Sequence, residues 1–185
     1  MSILLGEARQ VGFVVRDIQQ AMKHWSQVLG VGPWFYKEEV NTTEFNYYGR
    51  PSALPQLSIA LANTGALQLE LIQQRNDAPS LYLDTLKRNG ECAQHIAYWT
   101  HDRFDALRAE LIGRGYVEGH SGRMGTRGRF AYFVHADLPS GMVELSELTG
   151  GKGEYFQQIA AAAQAWDGRS DPIRGMAANA TSTRN

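Results

Sequence analysis

Four side chains with metal-binding atoms recur at matched places in this 185-residue sequence: Gln10, Glu70, His95 and Glu144. Gln10 lies in "ARQVGFVVRD" and His95 in "AQHIAYWTHD", two short apolar-rich runs that each end at an aspartate. Glu70 and Glu144 lie in "TGALQLELIQ" and "SGMVELSEL", two apolar runs with a glycine ahead of the glutamate. Two carboxylates cancel the charge of a divalent cation, while neutral glutamine and histidine add donor atoms without over-neutralising it. An ion held this way, with positions left to water or substrate, acts as a Lewis acid. Singly, each residue has a plainer explanation: a lone strand histidine is more often a core or surface group, an isolated glutamate is usually solvated, and glutamine is an uncommon ligand. Their common register makes them a set.

The elements that must position them come in two matched halves. With Gln10 laid on His95, "QVGFVVRDIQQAMKHWSQVLGV" reads as strand, Asp17, amphipathic helix and Gly30. "HIAYWTHDRFDALRAELIGRGY" reads as strand, Asp102, helix and Gly115. Ile18, Ala21, Met22, Trp25 and Val28 recur at helical spacing in the first; Phe104, Leu107 and Leu111 do so in the second. Each aspartate is placed to accept hydrogen bonds from the unpaired N–H groups of a first helical turn, and each glycine stands where helices commonly stop. Between helix and glutamate there is room for further strands, "FYKEEVNTTEFNYYG" and "LPQLSIALAN" in one half, "YVEGHSG" and "RFAYFVHAD" in the other.

The expected fold is therefore α+β, with the order βαβββ twice. The first module spans 8–75 and the second 93–149, joined over 76–92 by a linker with a short helix near Ser80–Arg88. Residues 150–185 supply an alanine-rich helix, "EYFQQIAAAAQAW", and a tail expected to be mobile or draped over the surface.

Side chains alternate across a strand, which sorts these residues onto faces. Val11, Phe13 and Val15 oppose Gln10, Gly12 and Val14; Ile96 and Tyr98 oppose His95, Ala97 and Trp99. Leu69 and Leu71 oppose Glu70, and Val143 and Leu145 oppose Glu144. If the apolar faces meet the helices, all four polar residues share the concave face. Gly12 and Ala97 then leave space beside Gln10 and His95.

Composition excludes several classes. With 18 basic and 19 acidic residues, no charge excess argues for a nucleic-acid partner. A single cysteine, Cys92, forbids an intrachain disulfide and fits a reducing compartment. "MSILLGEARQ" lacks the features of a secretory leader, and no apolar run is long enough to span a bilayer. The expectation is a cytoplasmic protein whose partner is a small molecule.

The segments "QVGFVVRDIQQAMKHWSQVLGVGP", "LQLELIQ", "HIAYWTHDRFDAL" and "LPSGMVELSEL" resemble the vicinal oxygen chelate superfamily, over about residues 8–148. That group includes glyoxalase I, methylmalonyl-CoA epimerase, extradiol dioxygenases and bleomycin-resistance-type binding proteins. The resemblance implies paired modules forming an eight-stranded cup around one divalent ion (zinc, nickel, cobalt, manganese or iron), with ligand positions at Gln10, Glu70, His95 and Glu144. Extradiol dioxygenases use two histidines and one carboxylate, a poor match here, and the antibiotic-binding branch generally lacks a full ligand set. The Gln, Glu, His, Glu set looks like eukaryotic-type glyoxalase I. "VLGVGPW" looks more like the epimerase-related branch, which usually carries histidine at the Gln10 position and commonly glutamine at the Glu70 position.

What the resemblance implies is an isomerase/epimerase or a glyoxalase-type lyase that removes a proton beside a carbonyl of a small carbonyl or acyl-thioester substrate. Glu144 is then ligand and base, with Glu70 its catalytic partner; Glu44 and Glu39 are lesser acid–base candidates. The competing class is a binding protein that uses the same cup without turnover, and pairing of chains into a homodimer is common among such proteins. Arg123, Arg127 and Arg129 in "EGHSGRMGTRGRF" suggest either a basic lip for an anionic tail or a solvated hairpin. Trp34, Tyr36, Tyr48, Trp99 and Tyr132 are pocket or core aromatics; His24 and His101 are expected on the surface, and His120 and His135 as weaker stand-ins for a ligand.

Overall fold

The computed structural model describes residues 1–176. In chain order the elements are β1 (Ala8–Val14), α1 (Ile18–Gln27), β2 (Trp34–Val40), β3 (Thr42–Tyr47), β4 (Arg50–Pro51), β5 (Leu57–Thr64), β6 (Leu67–Gln74) and α2 (Leu81–Asn89). There follow β7 (Cys92–Thr100), α3 (Phe104–Gly113), β8 (Val117–Met124), β9 (Arg129–His135), β10 (Leu138–Glu147), α4 (Lys152–Gln164) and β11 (Ile173–Gly175). Among the described residues the strands form one sheet in the order β11-β2-β5-β6-β1-β7-β10-β9-β8-β3-β4.

The central eight strands, β2-β5-β6-β1 and β7-β10-β9-β8, mirror each other about the β1–β7 pair. This is the expected α+β cup, with three further strands at its edges. Apolar alternation decides which face each strand presents. Val11 and Phe13 join Leu69, Leu71 and the α1 residues Ile18 and Met22 in a convex-side core. Leu145, Phe133 and Ala131 pack likewise on Phe104, Leu107 and Leu111 of α3. The concave face carries Ile59, Leu61, Phe130, Tyr132 and Met142, covered by Leu81 and Tyr82 of α2 and by Tyr155, Phe156 and Ile159 of α4. Each of those buried α4 side chains contributes about 1.5–3 kcal/mol of burial free energy, so packing as well as alanine content holds this helix against the cup.

Local chemistry sets the helix starts. Asp17 Oδ1 accepts from Gln20 N at 2.9 Å, the cap expected for α1. Ser80 Oγ accepts from Leu83 N at 3.1 Å and starts α2. Asp102 does not cap α3: the N-cap is Arg103, without a side-chain bond, and Thr100 Oγ1 accepts from Arg103 N at 3.0 Å instead. Gly30 and Gly115 follow α1 and α3 at φ of 66° and 88°, a left-handed bend glycine adopts without a Cβ penalty.

Two further segments depart from expectation. "FYKEEVNTTEFNYYG" divides after Val40; β3 leaves its own half and pairs with β8 of the other, Thr42 opposite Met124 and Tyr47 opposite His120. At this crossing Phe45 packs edge-on against His120, with ring centroids 5.4 Å apart. The tail is not simply draped: β11 joins β2 in parallel, Trp34 N donates to Pro172 O at 2.8 Å and Ile173 packs on the convex-side core. The remainder of that tail, 177–185, lies outside the described residues. No helix among the described residues is long and apolar enough to cross a membrane.

Candidate metal and substrate site

The sheet register brings the expected residues together. Gly12 lies opposite Glu70 on β6 and opposite His95 on β7, while Ala97 lies opposite Gln10 on β1 and Glu144 on β10. The two halves are thus related by exchange of Gln10 with His95, Gly12 with Ala97, and Glu70 with Glu144. The His95 ring lies over Gly12, where a Cβ would overlap Cε1, Nε2 and Nδ1 of the imidazole. Glycine at this strand position is what lets the ring reach the centre.

There His95 Nε2 stands 3.4 Å from Glu70 Oε2 and 3.1 Å from Glu144 Oε2. One donor atom from each of the three residues lies within 4.8 Å of the others. All three are buried, with exposures of 2% for His95, 5% for Glu144 and 9% for Glu70. His95 Nε2 and Glu144 Oε2 have no hydrogen-bond partner of good geometry despite that burial. Buried polar atoms without partners are costly, and a cation between them removes the cost.

The tautomer of His95 follows from its neighbour. Gln94 Nε2 donates to Leu81 O and to Thr85 Oγ1, both at 3.0 Å, so Gln94 presents Oε1 to His95 Nδ1 at 3.3 Å. Nδ1 must then carry the hydrogen, and in the neutral ring the lone pair sits on Nε2, facing the carboxylates. Such a bond to the remote nitrogen is the usual way a ligating histidine is oriented. Gln10 is buried nearby; its Nε2 donates to Gln68 Oε1 at 2.8 Å, leaving Oε1 as its acceptor atom. Glutamine oxygen, carboxylates and imidazole form a donor set that fits zinc, nickel, cobalt, manganese or iron without excess charge.

The carboxylates and the imidazole shift one another's proton affinity. Burial alone would lower the His95 pKa, but Glu144 and Glu70 overcome it and raise it to about 9. Glu70 is raised, since burial outweighs the attraction of His95. Glu144 is lowered: burial pushes it up, but His95, Lys152 and Tyr132 prevail.

The group opens on a cavity of about 350 Å³. Gln10, Glu70 and Glu144 form its polar wall; Ile59, Leu61 and Phe130 are among its apolar lining. That size suits a small molecule or the reacting end of a larger one. Lys152, at the first turn of α4, also lines it and donates to Ser146 Oγ at 2.6 Å. Nothing in the sequence pointed to Lys152, because a lysine opening a helix ordinarily lies in solvent.

The basic loop divides. Arg127 lines the cavity, its guanidinium 5.1 Å from the centre of the Tyr155 ring. Arg123 pairs with Glu44 at 3.1 Å, and Arg129 pairs with Asp105 and Glu147, both at 2.8 Å, away from the cavity. A three-arginine lip is therefore not what the fold builds, and Glu44 is engaged at that salt bridge; Glu39 is exposed. Of the aromatics, Tyr132 lines the cavity and Trp99 packs on Phe156, while Trp34 and Tyr36 belong to the convex-side core and Tyr48 is exposed. His24 and His101 are exposed as expected. His120 cannot stand in for a ligand: Tyr82, Tyr132 and Phe45 enclose it, Nδ1 accepts from Leu81 N at 3.3 Å, and burial lowers its pKa to about 3. His135 faces Asp137 at 3.7 Å and Tyr116, on the far side of the sheet from the cup.

Residues 9–133 match the family model described as the glyoxalase/bleomycin resistance protein/dioxygenase superfamily. The chain belongs to that superfamily, the vicinal oxygen chelate group. Similar solved structures include a methylmalonyl-CoA epimerase from Mycobacterium tuberculosis, 17% identical, with a TM-score of 0.57 over 83% of this chain and 96% of that one. Another is the epimerase of Streptomyces coelicolor with 2-nitronate-propionyl-CoA, 20% identical, with a TM-score of 0.52 over 79% of this chain and 99% of that one. At these identities the likeness establishes the fold. No curated protein sequence matches the chain.

Proposed function

We propose that the protein is a divalent-metal-dependent proton-transfer enzyme, an isomerase/epimerase or a glyoxalase-type lyase, acting beside the carbonyl of a small carbonyl or acyl-thioester substrate. The observation that carries this reading is the convergence of buried Glu70, His95 and Glu144, with both carboxylates on the wall of a cavity. These three would hold the ion, with Gln10 Oε1 as fourth donor. When bound, the ion supplies positive charge for the carbonyl oxygen, which lowers the free energy of the enolate-like negative charge that builds up as the proton leaves.

The remaining steps belong to the chain's own side chains. Glu144, whose carboxylate is on the cavity lining, takes the proton from the carbon beside the carbonyl. Glu70 reaches the cavity from a different strand, so a proton can leave to one carboxylate and return from the other. Ile59, Leu61 and Phe130 keep water from competing for the proton. The cavity volume accommodates the acyl end of a thioester, with any long carrier lying outside it.

Solvent-deuterium exchange into candidate acyl-CoA and hemithioacetal substrates tests the reading. Exchange by the metal-loaded protein, lost in Glu144→Gln with the fold retained, is the expected result. Undiminished exchange in Glu144→Gln removes Glu144 as the base; no exchange with either substrate class favours a cup that binds without turnover.

A further inference from the structure

Lys152 is placed against three ordinary preferences of a lysine. It is 7% exposed, although lysine is seldom buried without a partner. It occupies the first position of α4, where the positive end of the helix disfavours a cation. Among the described residues no carboxylate lies within 4.0 Å of its ammonium, and Ser146 Oγ takes one of its three donors. Its Nζ stands over the Phe156 ring, 5.8 Å from the centre. A buried ammonium so poorly compensated costs stability, and it faces the cavity.

Charge balance in the cavity says what completes it. A divalent cation at Glu70, His95 and Glu144 offsets both carboxylates. The cavity lining then keeps the ammonium groups of Lys152 and Lys37. Ser146, which orients the ammonium, lies two residues beyond Glu144 on the same face of β10. A ligand reacting at Glu144 therefore extends toward Lys152 within one strand repeat, roughly 7 Å.

We propose that Lys152 Nζ anchors a carboxylate on the substrate, so that the site selects carbonyl compounds bearing a negative charge close to the reacting carbon and disfavours their neutral counterparts. This specificity deepens the proposed function and rests on the cavity being its substrate site. The residue lies beyond the 9–133 segment that matches the superfamily, on the helix that covers the cup. Burial also lowers the pKa of Lys152, against the pull of Glu144 and Glu70; an anion in the cavity reverses that tendency and keeps the ammonium charged.

The test uses the full chain equilibrated with zinc, which offsets the Glu70 and Glu144 carboxylates, with butyrate and its neutral isostere butyramide as probes, followed by ligand-observed NMR titration. Wild-type protein is expected to bind butyrate at least tenfold more tightly than butyramide. Lys152→Met should bring the ratio to within twofold, Lys152→Gln likewise, and Lys152→Arg should retain most of it. Lys152→Met should also melt no lower than wild type, since a purely structural lysine would leave a less stable protein and an unchanged ratio. Equal binding of the two probes by wild type, or a tenfold ratio surviving in both neutral variants, overturns the anchor. The zinc content of the same samples is read separately: its absence counts against the metal-dependent reaction, while the butyrate ratio still decides the anchor.

Discussion

Replacing Gly12 by alanine isolates the geometric reason that His95 reaches the centre of the cup. Gly12 sits in β1 with an ordinary extended backbone, so alanine there meets no backbone strain. By itself a glycine-to-alanine change at a compatible position stabilises by about 0.4–1 kcal/mol through the unfolded chain. Here the added methyl overlaps three atoms of the His95 ring. Forcing extra volume into a packed interior costs about 1–3 kcal/mol, so overlap outweighs the chain-entropy gain and the net change is a loss of about 1–2 kcal/mol. For a chain of this length that lowers the melting temperature by about 2–8 °C. Metal affinity falls further, because loss of a bond that merely orients a ligand already costs about 10–100-fold, and here the ligand itself is displaced; a drop of at least about 100-fold follows. Thermal melting of the metal-free protein and zinc titration by calorimetry read the two effects independently. A Gly12→Ala protein with wild-type melting temperature and zinc affinity within twofold of wild type would refute the argument that glycine admits the ring.

Two other predictions concern the same centre. Gln94→Leu removes the acceptor that keeps the hydrogen on His95 Nδ1 and should weaken zinc binding by about 10–100-fold, measured by competition with a chromogenic chelator; unchanged affinity would mean that the ring is oriented by packing on Tyr132 instead. In the metal-free protein His95 is raised to about 9 from its ordinary 6.5, so its pairing with Glu144 and Glu70 stabilises the fold fully below about 6.5 and is lost as pH rises through about 9. Metal competes with that proton, so zinc affinity should climb about tenfold per pH unit up to about 9 and then level off, whereas a flat profile between pH 6 and 8 would contradict a protonated His95.

The placement of Glu70, His95 and Glu144 on one concave face was legible because strand side chains alternate with a period of two. Leu69 and Leu71 could be buried on the helix side only if Glu70 turned the other way, and Val143 and Leu145 dictate the same for Glu144. The matching of Gln10 with His95 reappears as the mirrored register around the β1–β7 pair. Other features depend on contacts that no local pattern encodes. Asp102 looked as good a cap as Asp17, yet it stands one residue ahead of the N-cap Arg103, whose N–H donates to Thr100 Oγ1. The crossing of β3 to β8 brings Phe45 against His120, about 75 positions later in the chain, a contact between distant segments. Lys152 was invisible for a related reason: α4 docks by Tyr155, Phe156 and Ile159, and only that docking carries the lysine into the cavity.

The central claim is that Glu70, His95 and Glu144 hold a divalent ion. The most direct measurement is metal content by inductively coupled plasma mass spectrometry, on untagged protein purified without chelator or added metal, beside His95→Ala. About one zinc, nickel, cobalt, manganese or iron per chain, absent from a folded His95→Ala protein, is the predicted result. A folded wild-type protein that carries no such metal and takes up none on titration would contradict the claim.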